Sequence, residues 1–362
     1  MLEFDYTALP SHVVFGPGAA RGPRLVDASD RLGVHRVLLV AADADRELAA
    51  PIAELLGRRL VGRFSDVRPH VPIEVAQAAR AAAAETGADA VLSVGGGSTT
   101  GTAKAIALTM SLPILAVPTT YAGSEVTPVW GLTENARKTT GTDPRVLPRV
   151  VVYDPELTVT LPVGLSVASG LNALAHCAEA FWAPGRNPIT SLIAEEGIRA
   201  LTQGLPGVAT DSRDLEARAH TLYGAWLAGT AFATAGSSVH HKICHVLGGA
   251  FDLPHAETHA VVLPYSTALA APRSQGADDR IAAALGGEGA PAAEAIAAFA
   301  DRLGAPRSLR DLGLRADHLE GAIEVVDATL SQLPEPVSRS DTEMLLRAAF
   351  EGAAPIIKVS AR

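Results

Sequence analysis

Five of the chain's eleven histidines fall between His240 and His259. His241 and His245 are four apart, so on a helix they share one face, and Asn172 and His176 repeat that spacing upstream. Imidazoles clustered in this way suit two tasks. They can hold a divalent metal, or they can donate hydrogen bonds and protons near neutral pH. His176, His241 and His255 supply three candidate ligands. The helical partner of His176 is Asn172, a neutral amide where a divalent ion calls for an anion. The pattern has the geometry of a metal site without its charge, and no essential metal is expected. Lys242 reads either as the holder of an anionic substrate group or as a solvated helix residue. His240 and His259 read as ordinary core histidines. Cys177 and Cys244 read as buried free thiols, since two cysteines in apolar helical surroundings make no disulfide framework.

A second kind of chemistry lies earlier in the chain. Gly95-Gly96-Gly97 follows the apolar run Ala90–Val94 and precedes a helical pattern. Glycines there admit a ligand close to the backbone, and a helix start offers N–H groups to a pyrophosphate. Ser98 and Thr99 add hydroxyls. The loop is not the GxGxxG fingerprint, and a plain structural turn reads similarly. Pro118-Thr119-Thr120, with Gly123 and Ser124, follows the next apolar run and can line the same ligand; an ordinary polar loop reads the same. Asp43, in Ala42-Asp43-Ala44-Asp45 after the run Arg36–Ala41, is placed to bond an adenosine ribose and repel a 2'-phosphate, which predicts NADH in preference to NADPH.

These residues need a scaffold, and the patterning supplies one. Short apolar runs alternate with Ala-rich helical stretches up to about residue 158, predicting an α/β dinucleotide-binding domain with a parallel sheet over 1–158. Helical patterns then dominate, predicting an all-helical substrate domain over 159–362. With 362 residues and 48% hydrophobic content, two cored domains are expected. A net charge of -9 argues against nucleic acid, but not against a locally basic pocket. Neither a signal peptide nor a membrane span is visible, so a cytoplasmic protein with no membrane partner is expected. The segment Phe4–Phe15 reads as an extra strand that can pair at a sheet edge or between subunits.

Taken together, these segments resemble the iron-containing alcohol dehydrogenase superfamily, of dehydroquinate synthase-like fold, over nearly the whole chain. Gly95-Gly96-Gly97-Ser98 matches the superfamily's pyrophosphate loop, and Pro118-Thr119-Thr120 with Gly123-Ser124-Glu125 its second cofactor loop. Asn172 and His176 stand where metal-dependent members carry Asp-x-x-x-His. His241 and His255 match the other two ligand positions, and His245 the non-ligand histidine near the substrate. Gly101 replaces an acidic residue. The stretches Thr120–Glu134, Arg137–Pro162, Gly170–Ile189 and His240–Tyr265 are similar to the branch that reduces maleylacetate.

That resemblance implies NADH- or NADPH-dependent reduction of the carbon–carbon double bond of maleylacetate, and of chloromaleylacetate, to 3-oxoadipate in the breakdown of aromatic compounds. It also implies a homodimer. His176, His241, Lys242, His245 and His255 become the catalytic candidates. Asn172, His176, Lys242 and His245 become the contacts for a small dicarboxylate, with protonated histidines and Lys242 facing its charges. A metal-dependent alcohol or polyol dehydrogenase of the same fold, or a biosynthetic reductase of another enone or keto acid, remains the alternative.

Overall fold

The structure, a computed structural model, describes residues 4–9, 11–134, 137–287 and 289–355. The ends of the two expected domains, 1–3 and 356–362, lie outside the described residues. The chain forms two compact units: Ala8–Leu161 with Arg213–Leu222, and Pro162–Ser212 with Tyr223–Arg362 and Met1–Thr7.

The first unit carries β1 (His12–Phe15), α1 (Pro23–Leu32), β2 (Val37–Val40), α2 (Arg46–Leu56), β3 (Leu60–Phe64), α3 (Ile73–Glu85), β4 (Ala90–Gly95), α4 (Gly97–Met110), β5 (Ile114–Pro118), β6 (Val129–Glu134), β7 (Arg137–Thr142) and β8 (Val150–Tyr153). Six strands form one sheet in the order β1-β8-β5-β4-β2-β3, and every pair is parallel. The VLLV and VVVY runs of β2 and β8 are buried at every position, as strands covered on both faces must be. From β2 the chain goes outward to β3 on one side, then back to β4 on the other. The order therefore reverses between β2 and β4, and ligands bind in such a crevice at the carboxyl ends of the strands.

Three features depart from the patterning. The helix expected from Thr102 starts at Gly97, directly on the glycine loop; glycine suppresses the propensity signal but is tolerated in a first turn. The hairpin β6–β7 is absent from the sequence reading because β7 is Arg-Lys-Thr-Thr-Gly-Thr, without alternating apolar residues. The predicted Phe4–Phe15 strand is a strand only over His12–Phe15, where it pairs with β8 at one edge of the sheet.

The second unit is helical among its described residues: α5 (Val163–Glu179), α6 (Pro188–Thr210), most of α7 (Leu215–Ala235), α8 (Val239–Phe251), α9 (His255–Ala270), α10 (Ala277–Ala284), α11 (Ala292–Arg302), α12 (Leu319–Leu330) and α13 (Arg339–Glu351). The first residues of α7 group with the sheet-bearing unit, against the expected unbroken 159–362 block. Arg218 explains why. It is fully buried, and its guanidinium donates to Tyr121 Oη and to the Leu161 carbonyl, both at 3.0 Å. Among the described residues no helix is long and apolar enough to cross a membrane.

The helices of the second unit pack through small residues. A Cβ on Gly197 of α6 would lie 2.7 Å from Cys177 Sγ and 3.3 Å from Leu227 Cβ, so only hydrogen lets α5, α6 and α7 close here. Gly197→Ala should therefore lower unfolding stability by about 1–3 kcal/mol through overpacking. Denaturant titration followed by circular dichroism reads this, and an unchanged midpoint would contradict the packing argument.

Candidate active site

In the first unit the carboxyl ends of β2, β4 and β5 converge. Gly95 has φ +150°, a conformation open to glycine, and a Cβ there would run into Thr99 and lie 2.8 Å from Asp45 Oδ2. A Cβ on Gly96 would meet Thr120 Cγ2 at 3.0 Å, and one on Gly97 would meet Ala122 at 3.4 Å. The amide of Thr119 donates to the Gly95 carbonyl at 3.1 Å. The two loops singled out in the sequence thus lie against each other, with Gly95, Gly96, Gly97, Ser98 and Thr99 on one and Thr119, Thr120, Gly123 and Ser124 on the other. The N-cap of α4 is Gly96, which offers no side-chain cap. The helix start is left open to an anion.

Two details differ from expectation. Asp43 is exposed, and the carboxylate brought to the glycine loop is Asp45, two residues on. Burial raises its pKa, opposed by a hydrogen bond from Thr119. The space beside Gly101 is taken by Val71 Cγ2, 2.8 Å from any Cβ placed there. A further group, Lys104, escaped the sequence reading. It is buried on α4, and Nζ donates to the carbonyls of Ser124 at 2.7 Å, Thr127 at 2.9 Å and Val129 at 2.7 Å. Burial pulls it down to about 7, with Glu125 opposing. Lys104 shapes the second loop from within.

In the helical unit the histidines gather. Ring centroids lie 5.0 Å apart for His176–His241, 5.8 Å for His241–His245, 6.2 Å for His245–His255 and 4.5 Å for His255–His259. His176 and His241 are buried and nearly parallel, with Phe232 tilted against both, whereas His245 and His255 are exposed. Asn172 is buried on α5, and neither its Oδ1 nor His176 Nδ1 has a hydrogen-bond partner among the described residues. Lys242 is exposed and lines a cavity beside the start of α8 together with Trp182 and Arg186.

Three members of this cluster were not predicted as site residues. Glu179, fully buried at the end of α5, hydrogen-bonds His241 Nδ1 through Oε2 and accepts the His241 backbone N–H through Oε1. The spacing His176-x-x-Glu179 was its one signal, since positions three apart share a helix face. His240 and His259 also join. Ser266 Oγ donates to the Leu263 carbonyl at 3.0 Å, so it accepts from His240 Nδ1 at 2.8 Å. His240 Nε2 is then the acceptor for His259 Nδ1 at 2.9 Å. His259 Nε2 is left as a buried lone pair without a partner among the described residues.

Burial sets the charge of these groups. It lowers His176 and His240 to about 3 and holds His241 and His259 well below 6.5, with neighbouring histidines adding repulsion. The protonated histidines expected to face a dicarboxylate are therefore neutral at pH 7 in the buried part of the cluster. Burial pushes Glu179 up to about 8, against the N–H groups of His241, Ser238 and His240 and the charge of Lys242.

No anion stands at the family-matched ligand positions, although Asn172 Oδ1 and His176 Nδ1 are unpartnered among the described residues. The four positions matched by resemblance, Asn172, His176, His241 and His255, are all neutral donors. The nitrogens that do converge within 4.8 Å belong to His240, His241 and His259. Of these, His240 uses both nitrogens in hydrogen bonds and His241 uses Nδ1 on Glu179.

A parallel sheet with a switch-point crevice, a glycine loop opening a helix, and a histidine-rich helical unit together define a nucleotide-type oxidoreductase. Family models agree: "Iron-containing alcohol dehydrogenase" matches residues 10–155 and "Fe-containing alcohol dehydrogenase family, C-terminal" matches 166–350. The chain belongs to the iron-containing alcohol dehydrogenase family. It is 48% identical to a maleylacetate reductase of Rhizobium sp. (strain MTP-10005), covering 98% of this chain and 100% of that one. It is 47% identical to that of Sphingobium indicum, covering 98% and 99%. The crystal structure of maleylacetate reductase from Agrobacterium tumefaciens superposes with a TM-score of 0.92 at 47% identity, covering 98% of this chain and 100% of that one.

The depressed histidines carry a consequence for stability. Their folded pKa values lie below 6.5, so the folded state binds fewer protons than the unfolded state, and stability is lost as pH falls from 6.5 toward 3. Glu179 has the opposite slope between 4.5 and about 8, one carboxyl against four histidines. A net deficit of one proton amounts to about 1.4 kcal/mol per pH unit. Urea unfolding should give lower stability at pH 5 than at pH 7, and the reverse order would contradict a neutral buried cluster.

Proposed function

We propose that this protein reduces the carbon–carbon double bond of maleylacetate to 3-oxoadipate with NADH. The observation that carries the reading is full-length likeness: six maleylacetate reductases are 41–48% identical over 98–99% of the chain. The neutral donor set around Asn172 supports catalysis without an essential metal, although the family is described as iron-containing.

Gly95, Gly96, Gly97, Ser98 and Thr99, with Thr119, Thr120, Gly123 and Ser124, would hold the cofactor, its pyrophosphate at the open start of α4. Asp45 takes the ribose role first assigned to Asp43 and disfavours a 2'-phosphate. When bound, NADH supplies a hydride for the alkene carbon β to the ketone. The protein must then stabilise an enolate oxygen and deliver a proton to the carbon between. Because the electron sink is a conjugated ketone, hydrogen-bond donors suffice.

The Glu179–His241 pair suits this task. With Glu179 holding its proton up to about pH 8, His241 Nδ1 is the acceptor of the pair and Nε2 carries the N–H. That N–H is a donor for the enolate, and the pair holds a proton that can leave through it. His245 and His255, exposed beside His241 and His259, are the second source of protons. Glu179 is the positioning residue. A homodimer is proposed with it, supported by the outermost position of β1 in the sheet; a monomer in light scattering at micromolar concentration would count against it.

The direct test is NADH oxidation with maleylacetate against a panel of aldehydes and ketones, before and after exhaustive chelation. Turnover of maleylacetate alone, unchanged by chelation and faster with NADH than NADPH, is expected. Loss on chelation, restored by one equivalent of iron or zinc, would return the chain to metal-dependent alcohol chemistry. The pH profile tests the pair: kcat should fall as pH rises through about 8, and Glu179→Gln, which cannot ionise, should remove that fall with less change in KM. A role confined to folding would lower activity at every pH and leave the profile in place.

A further inference from the structure

Two carboxylates on a substrate call for cations, and the buried histidines are uncharged at neutral pH. Cations occur instead around a cavity of about 870 Å³ in the helical unit. Its wall includes Ser238 at the N-cap of α8 and Lys242 on α8, Trp182 and Arg186 after α5, Arg273 after α9, and Glu335 between α12 and α13. The volume suits a small organic molecule.

Its charges are unequally committed. Arg273 is held by Asp341 at 2.9 Å. Arg186 and Lys242 form no ion pair among the described residues, and Glu335 is the one carboxylate on the wall. Trp182 is 8% exposed, its Nε1 is turned away from solvent, and that atom has no hydrogen-bond partner among the described residues. Two cations on separate elements, neither in an ion pair among the described residues, call for acceptor oxygens. The cavity is also tied to the histidines through the chain. Lys242 follows His241, and Trp182 lies one helical turn beyond Glu179.

We propose that this cavity recognises the carboxylates of a short aliphatic dicarboxylate, with Arg186 and Lys242 each pairing with one carboxylate and the Trp182 ring lining the wall beside them. The proposal rests on the reading of the substrate as a dicarboxylate. It makes Arg186 and Lys242 determinants of specificity, and it separates the charges that hold the substrate from the neutral histidines that serve the reaction.

The test uses adipate, the saturated dicarboxylate of the same chain length, with the intact enzyme. Adipate should quench tryptophan fluorescence saturably and compete with maleylacetate, whereas hexanoate should do neither at the same concentration. Trp182→Phe should abolish the quench. Arg186→Ala and Lys242→Ala should each raise the adipate Ki and the maleylacetate KM on the order of ten- to a hundred-fold, with kcat less affected. Arg310→Ala, at an exposed pair with Glu351, should change neither. Folded variants, checked by circular dichroism, with unchanged Ki and KM would overturn the pocket while leaving maleylacetate turnover intact. Adipate binding that weakens in both variants, in an enzyme that does not turn over maleylacetate, would support the pocket and overturn the reaction instead.

Discussion

The Glu179 carboxyl is fully buried, and its environment is the start of another helix. It accepts backbone N–H groups at the beginning of α8 and holds the His241 ring through Nδ1. One side chain thereby joins the end of α5 to α8, caps α8 and fixes which face of His241 remains available. The same burial that favours this contact suppresses charge in the surrounding rings. The helical unit consequently divides its labour. Neutral imidazoles with defined tautomers form one group, directed through Ser266, His240 and His259. Arg186 and Lys242, on the wall of the neighbouring cavity, keep the charge.

The sheet-bearing unit solves a different problem, which is to bring backbone close to a ligand. The reversal of strand order between β2 and β4 brings the end of β2 beside the glycine loop, and Asp45 is the side chain that arrives. Lys104 donates to Ser124 and Thr127 of the loop after β5 and to the carbonyl of Val129 at the start of β6, so that loop is shaped from inside the protein. An amine so engaged is structural, and its position on α4 couples the two loops through one helix.

The scaffold was legible because its signals are local. Apolar runs ending in Gly95 and Pro118, and histidines at helical spacing, are properties of a few adjacent residues. The exceptions are non-local or depend on environment. Arg218 is a charged residue that reads as solvated, yet its partners Tyr121 and Leu161 are distant in sequence. Asp45 and Asp43 are equivalent in a string, and a short 3-10 turn decides between them. His240 and His259 look like core residues until Ser266 gives them direction. Charge state was the least legible property: histidine spacing says nothing of desolvation, so a cluster read as cationic is neutral where it is buried. Glu179 was hidden for the same reason, because a glutamate on an apolar helix declares its role only through what packs over it.

On the proposed reading hydride reaches carbon, leaving an enolate that the neutral histidine site stabilises without an essential metal. The most direct measurement is reduction of maleylacetate with NADH deuterated at the transferred position, by enzyme stripped of metal, followed by NMR of the product. The account predicts 3-oxoadipate with deuterium on the carbon β to the ketone, formed at the full rate without metal. Deuterium on a carbinol carbon, or a product that forms only after iron or zinc is restored, would contradict it.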